Sequence, residues 1–174
     1  MFAQMGRALM RPSLGGFEQA RANANLGRAL IAALVIGALT GFIGGLINML
    51  AVGDSIVQTV TLTIITPLRF IFALIIVQAI LFSMMRALGG CGNFETQTYL
   101  SALVFIPINA LARLLESIPT IGAWLAIVTM VYGAAANVPA LRAAHGWRGS
   151  NGVLFILSLI GGMVGLIAMS SIAP

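Results

Sequence analysis

The chain contains no lysine, one histidine, one cysteine and only four acidic residues in 174. Each scarcity excludes something. Charged residues make up 7% of the sequence, whereas a soluble domain carries about a quarter, so this chain cannot clothe a surface facing water. Without lysine, the glycine-rich stretch Gly89-Gly90-Cys91-Gly92 lacks the residue with which a P-loop holds phosphate, and no β-strand pattern precedes it. A lone Cys91 forms no internal disulfide. Glu18, Asp54, Glu95, Glu116 and His145 are scattered along the chain, so no catalytic, cofactor-binding or metal-binding cluster is expected.

What is present is apolar. Hydrophobic residues make up 60% of the chain and the mean hydropathy is +1.06. The nine basic residues are all arginines and give a formal net charge of +5. They sit at the borders of apolar runs, which is the pattern of charges that orient membrane helices, and not the solvated basic face that binds nucleic acid. The expected fold is all-α: a polytopic transmembrane bundle of five spans, at about 29–51, 69–87, 98–115, 121–140 and 153–172. Residues 28–174 read as one transmembrane domain. The first apolar run is longer than a signal-peptide core and follows four dispersed arginines, so it reads as a retained helix.

Residues 1–27 form a cytoplasmic or interfacial segment in which Arg7, Arg11, Glu18 and Arg21 alternate with Met5, Leu9 and Phe17. Short amphipathic pieces on the membrane surface are expected, with arginines towards anionic headgroups. In the first span Ala33, Gly37, Gly41 and Gly45 recur every fourth residue and stack on one helix face, where small side chains admit a close neighbour. That neighbour is another helix of the chain or a second protomer. Gly161 and Gly165 offer a similar face on the last span.

Ser55–Thr66 is too short to span and rich in β-branched residues. It reads as interfacial, re-entrant or an extended start to the second span, stopped by Pro67. Arg69 then stands at the start of the second span, where its long side chain reaches headgroups. Pro107 lies within the third span, Asn109 is expected to hydrogen-bond to another helix, and Arg113 and Glu116 pair locally at that span's end. Pro119 suits the first turn of the fourth span, and Pro139 ends it. His145 falls in a basic loop over 141–152, where an interfacial histidine is expected and not a metal ligand. Arg69, Asn109, Arg113 and Glu116 are the polar candidates for a path through the membrane.

With five spans, seven arginines share one side (Arg7, Arg11, Arg21, Arg28, Arg86, Arg142 and Arg148), leaving at most Arg69 and Arg113 for the other. The positive-inside rule then puts the N-terminus in the cytoplasm and the C-terminus outside.

Several short motifs carry a resemblance. They are Arg11-Pro12 and Phe17 before the first span, Gly89-Gly90 with Phe94 and Thr96, and Pro107 in the third span. Ile118-Pro119-x-Ile121-Gly122, Tyr132 and Leu141-x-x-x-His145-Gly146 complete them. Together they make the chain similar to the Yip-domain family, the Ypt/Rab-interacting membrane proteins and their bacterial relatives. The resemblance implies a five-span helical domain with a cytoplasmic N-terminus. Similar proteins in eukaryotes bind prenylated Rab-type GTPases in vesicle traffic, but carry a long acidic cytosolic region. The short polar tail here fits a bacterial member of the inner membrane better. The function expected is that of a non-enzymatic scaffold or accessory subunit touching lipids, other transmembrane subunits or a second copy of itself. The alternative is a small transporter or channel.

Overall fold

The computed structural model describes residues 1–116, 118 and 120–171. Pro119, expected in the first turn of the fourth span, and Ile172, at the end of the fifth, lie outside the described residues. Among those described, the secondary structure is entirely helical: α1 (Phe2–Met10), α2 (Leu14–Arg21), α3 (Leu26–Val52), α4 (Ile56–Ala87), α5 (Phe94–Glu116), α6 (Gly122–His145) and α7 (Asn151–Ser171). The helices α3 to α7 are the five long and apolar enough to cross a membrane. Short connections reverse the chain each time, so one end of the bundle, here called near, gathers the start of α3, the α4–α5 loop and the α6–α7 loop. The far end holds the α3–α4 turn and the end of α5.

α5 is the central helix. It packs against α1, α2, α3, α4 and α6, and 61% of its most apolar stretch is buried, against 33% for α3, α4 and α7. The outer helices instead expose Ile31, Leu39, Leu50, Val128, Met163 and Ile167. In water such faces would drive aggregation; in a bilayer they are solvated by acyl chains.

α3 begins where Asn25 accepts from Arg28 N–H (3.0 Å) and Glu95 accepts from Leu26 N–H (3.1 Å), so two orphan amides of the first turn find partners. Its small-residue stripe lies on α4 of the same chain. A methyl group added at Gly37 would fall 2.6 Å from Pro67 Cα, at Gly41 2.3 Å from the Leu62 carbonyl oxygen, and at Gly45 2.8 Å from Thr59 Cα. Glycine is what allows this backbone-to-backbone approach. A methyl group added at Gly161 or Gly165 would lie 3.2 Å from side-chain atoms of Val77, Leu81 or Phe105, tighter than ordinary contact but against side chains and not backbone.

The second long helix starts thirteen residues before Arg69. Ser55 and Gln58 form a reciprocal capping box, and Ser55–Thr66 continues without a break into the rest of α4. Pro67 sits inside the helix instead of stopping it, because its ring is received by Gly37 and a proline is tolerated where neighbouring helices pack closely. Arg69 is therefore about 20 Å along α4 at 1.5 Å per residue, well inside the helix and not at its start. Likewise α6 runs through Pro139 to His145, where Gly146 takes a left-handed conformation (φ 63°) and terminates it.

The N-terminal segment is packed onto the bundle. Met5, Ala8, Phe17 and Ala20 are buried. Tyr99 donates to Gln4 Oε1 (2.6 Å), Tyr132 donates to the Leu9 carbonyl, and Arg21 donates to the Ala143 carbonyl (3.3 Å). α1 and α2 thus form a helical hairpin held along α5 and α6.

Candidate functional site

Three places in the bundle gather several polar groups. The first is the near end. α4 terminates in a Schellman arrangement, with Gly89 left-handed (φ 89°), Gly89 N–H on the Arg86 carbonyl (3.0 Å) and Gly90 N–H on the Met85 carbonyl (2.8 Å). The loop then passes directly over the end of α6. A methyl group at Gly90 would lie 2.7 Å from His145 Nδ1, and one at Gly92 would lie 2.4 Å from the Ala144 carbonyl oxygen. Gly92 N–H donates to His145 Nδ1 (3.2 Å). A backbone amide can only donate, so Nδ1 is the acceptor and the ring proton rests on Nε2. From there it reaches Gln97 Oε1 (2.6 Å), and the Gln97 amide donates on to Gln78 Oε1 (2.9 Å) and the Gln78 carbonyl (3.1 Å). His145, Gln97 and Gln78 are at most 4% exposed. Phe82 lies against both His145 and Phe94, with centroids at 5.9 and 5.7 Å.

This corrects the expected interfacial loop histidine. His145 belongs to α6, is buried, and ties that helix to α4 and α5. Gln78 and Gln97, the other two members, carry no motif in the sequence: Gln78 is a single polar residue inside an apolar stretch, and Gln97 stands in the polar run Glu95-Thr96-Gln97-Thr98 that opens α5.

The second place is the centre. A cavity of about 30 Å³ between α4, α5, α6 and α7 is lined by Gln78, Asn109, Asn137 and Ser158 among apolar neighbours. Asn137 donates to Ser158 Oγ (3.2 Å). Asn109 donates to the Phe105 carbonyl four residues back (2.8 Å), so its amide turns to its own helix and not to another one. Asn109 Oδ1 and Asn137 Oδ1 are buried without a protein partner. A space of this size takes two or three water molecules, since each needs about 10–15 Å³.

The third place is the far end, where Arg69, Arg113 and Glu116 line a cavity of about 280 Å³ together with Thr40, Asn48 and Thr66. Arg113 and Glu116 form an ion pair at 3.2 Å, both partly exposed. The structure therefore brings together three of the four polar candidates. Asn109 is on the same face of α5 as Arg113, one turn further in, but lines the central cavity. Among the described residues, no three His, Cys, Asp or Glu side chains are grouped closely enough to hold a metal ion.

No curated protein and no solved structure matches the chain. A family model described as the Yip1 domain matches residues 7–172. That span takes in the end of α1, α2, all five long helices and the loop that closes over His145, so the chain is an integral membrane protein that belongs to the Yip1 domain family.

Proposed function

We propose that this protein is a non-enzymatic component of a bacterial inner membrane, working through helix–helix and lipid contacts as a scaffold or accessory subunit of a membrane complex. The observation that carries the reading is the size of the space at the centre. Around Asn109 it amounts to about 30 Å³, the volume of a buried water site and not of a route for solutes. Outward contacts are supported by the exposed apolar residues of the α3–α4 hairpin. Phe42, Ile43, Leu50, Val57, Val60 and Ile64 face away from the bundle. The glycine stripe of α3 is already occupied by α4, so a partner subunit binds on these other faces.

A small transporter or channel is the second reading, favoured by the far-end cavity in which Arg69, Arg113 and Glu116 meet. Gentle detergent solubilisation of the tagged native protein, followed by mass spectrometry, separates the two. A stoichiometric membrane partner is the expected result. Recovery of the protein alone or as a homo-oligomer sinks the accessory-subunit reading, and transport assays on Arg69→Gln then take precedence.

The proposed orientation places the near end in the cytoplasm. Cys91, the chain's only cysteine, is exposed there. An impermeant maleimide should label it in inverted vesicles and leave it unlabelled in intact spheroplasts; the opposite pattern overturns the orientation.

A further inference from the structure

The largest of the cavities described lies between α1 and α2, at about 660 Å³, within the range of about 300–1,000 Å³ typical of small-molecule sites. Its walls are divided by chemistry. Gln4, Arg7, Arg11, Ser13, Gln19 and Asn23 supply polar groups, while Ala8, Phe17, Ala20 and Leu103 supply apolar ones. Arg7 is in the last turn of α1 and Arg11 caps that helix, its backbone N–H donating to the Arg7 carbonyl (2.9 Å), and both side chains line the cavity. Both are exposed, no carboxylate lines the cavity with them, and the chain's described ion pair is at the other end of the bundle.

The cavity also has depth. Leu103 lies nine residues into α5, about 13 Å from that helix's near end at 1.5 Å per residue. The headgroup layer accounts for only about 5–8 Å on each side of a bilayer whose hydrocarbon core is about 30 Å thick. Leu9, between the two arginines, receives the Tyr132 hydroxyl thirteen residues, about 20 Å, from the near end of α6. The arginines therefore lie at least as deep as Leu103, and a ligand filling the cavity carries its anionic group beside apolar neighbours below the headgroup layer.

We propose that the cleft between α1 and α2 is a binding site for a phosphate-bearing anionic amphiphile. Arg7 and Arg11 take the phosphate in charge-assisted hydrogen bonds, and Met10, the exposed apolar side chain of the lining, takes the first carbons of a chain. The proposal deepens the lipid-contact part of the reading above and is independent of whether a protein partner exists. A chain that purifies alone still binds the lipid, and a chain with a partner can fail to.

The test uses the full-length protein, delipidated in a neutral detergent, with native mass spectrometry counting retained phosphatidylglycerol, phosphatidylcholine or inorganic phosphate. At about 1 kcal/mol for each arginine near an anionic surface, phosphatidylglycerol should bind roughly ten- to thirty-fold more tightly than phosphatidylcholine. Arg7→Gln/Arg11→Gln should remove that preference, and Arg7→Lys/Arg11→Lys should keep most of it. Arg28→Gln/Arg148→Gln removes two exposed arginines of the near end and should leave it intact. Equal loss in both Gln pairs would make the preference a general surface-charge effect and overturn the site. Retained preference in Arg7→Gln/Arg11→Gln would overturn it as well. If inorganic phosphate displaces the lipid at equal concentration, the apolar wall contributes nothing and a free phosphate, not an amphiphile, is the ligand.

Discussion

The two ends of the bundle both carry polar side chains, yet they handle them in opposite ways. At the near end, Gly92, His145, Gln97 and Gln78 form a directional chain of hydrogen bonds sealed from the surroundings. At the far end, Arg69, Arg113 and Glu116 stand around a space of about 280 Å³. A buried polar group without a partner costs about 1–3 kcal/mol, so the near end is held to one geometry. A partly exposed ion pair is worth little and tolerates movement. The near end is thus built for fixed shape, while the far end has room to change what it holds.

The strongest way to break this contrast is at Gly92. A methyl group there meets the Ala144 carbonyl oxygen at 2.4 Å, and backbone does not give way as a side-chain tip does. Gly92→Ala should cost about 3 kcal/mol, combining overpacking with the lost bond to His145, read as a lower unfolding temperature in detergent. A loss below about 1 kcal/mol would mean that the loop re-seats freely and that the near end is no more rigid than the far one.

Next in size is His145→Leu, which keeps the bulk but strands Gly92 N–H and Gln97 Oε1. A loss of about 2 kcal/mol is expected. Gln97→Leu should cost a similar amount, and the double substitution should cost clearly less than the sum, because the two share one chain of bonds. Strict additivity would dissolve the lock into independent contacts.

How much of this was legible beforehand follows from what each residue announces. The five spans were legible because long uncharged stretches have few alternatives, and the glycine stripe because a period of four repeats visibly along α3. That it packs on α4 of the same chain was not, since nothing in the stripe distinguishes an internal neighbour from a second protomer. Two prolines misled: Pro67 and Pro139 read as stops, but close packing carried both helices through them. The consequence for the polar residues was direct. Arg69 moved from a helix end to its interior, and His145 from an exposed loop to the buried end of α6. Gln78 left no sequence signal, because a single polar residue within an apolar run has no period and becomes meaningful only opposite its partner, and Gln97 was hidden among the polar residues Glu95, Thr96 and Thr98 at the start of α5.

A comparison of glycines sharpens the contrast further. Gly44 lines the far-end cavity and has nothing within 4 Å of an added methyl group. Gly44→Ala should therefore stabilise the chain by about 0.5–1 kcal/mol, through helix propensity alone. Gly41→Ala, three residues away, meets the Leu62 carbonyl oxygen at 2.3 Å and should destabilise it. If both substitutions destabilise, the far-end cavity is more tightly packed than its volume implies.

The smallest effect is expected at Glu116. Its ion pair with Arg113 spans three residues of one helix, and the two side chains are 36% and 29% exposed. Glu116→Gln keeps the size and hydrogen-bonding reach of the side chain while removing its charge. The pair should therefore lose no more than about 0.5 kcal/mol, and the loss should shrink further at high salt, where exposed charges are screened within about a Debye length. A salt-independent cost above about 1.5 kcal/mol would show that the carboxylate is held in a dry environment. The far end would then be a second lock, and room for rearrangement would have to be sought in the cleft between α1 and α2.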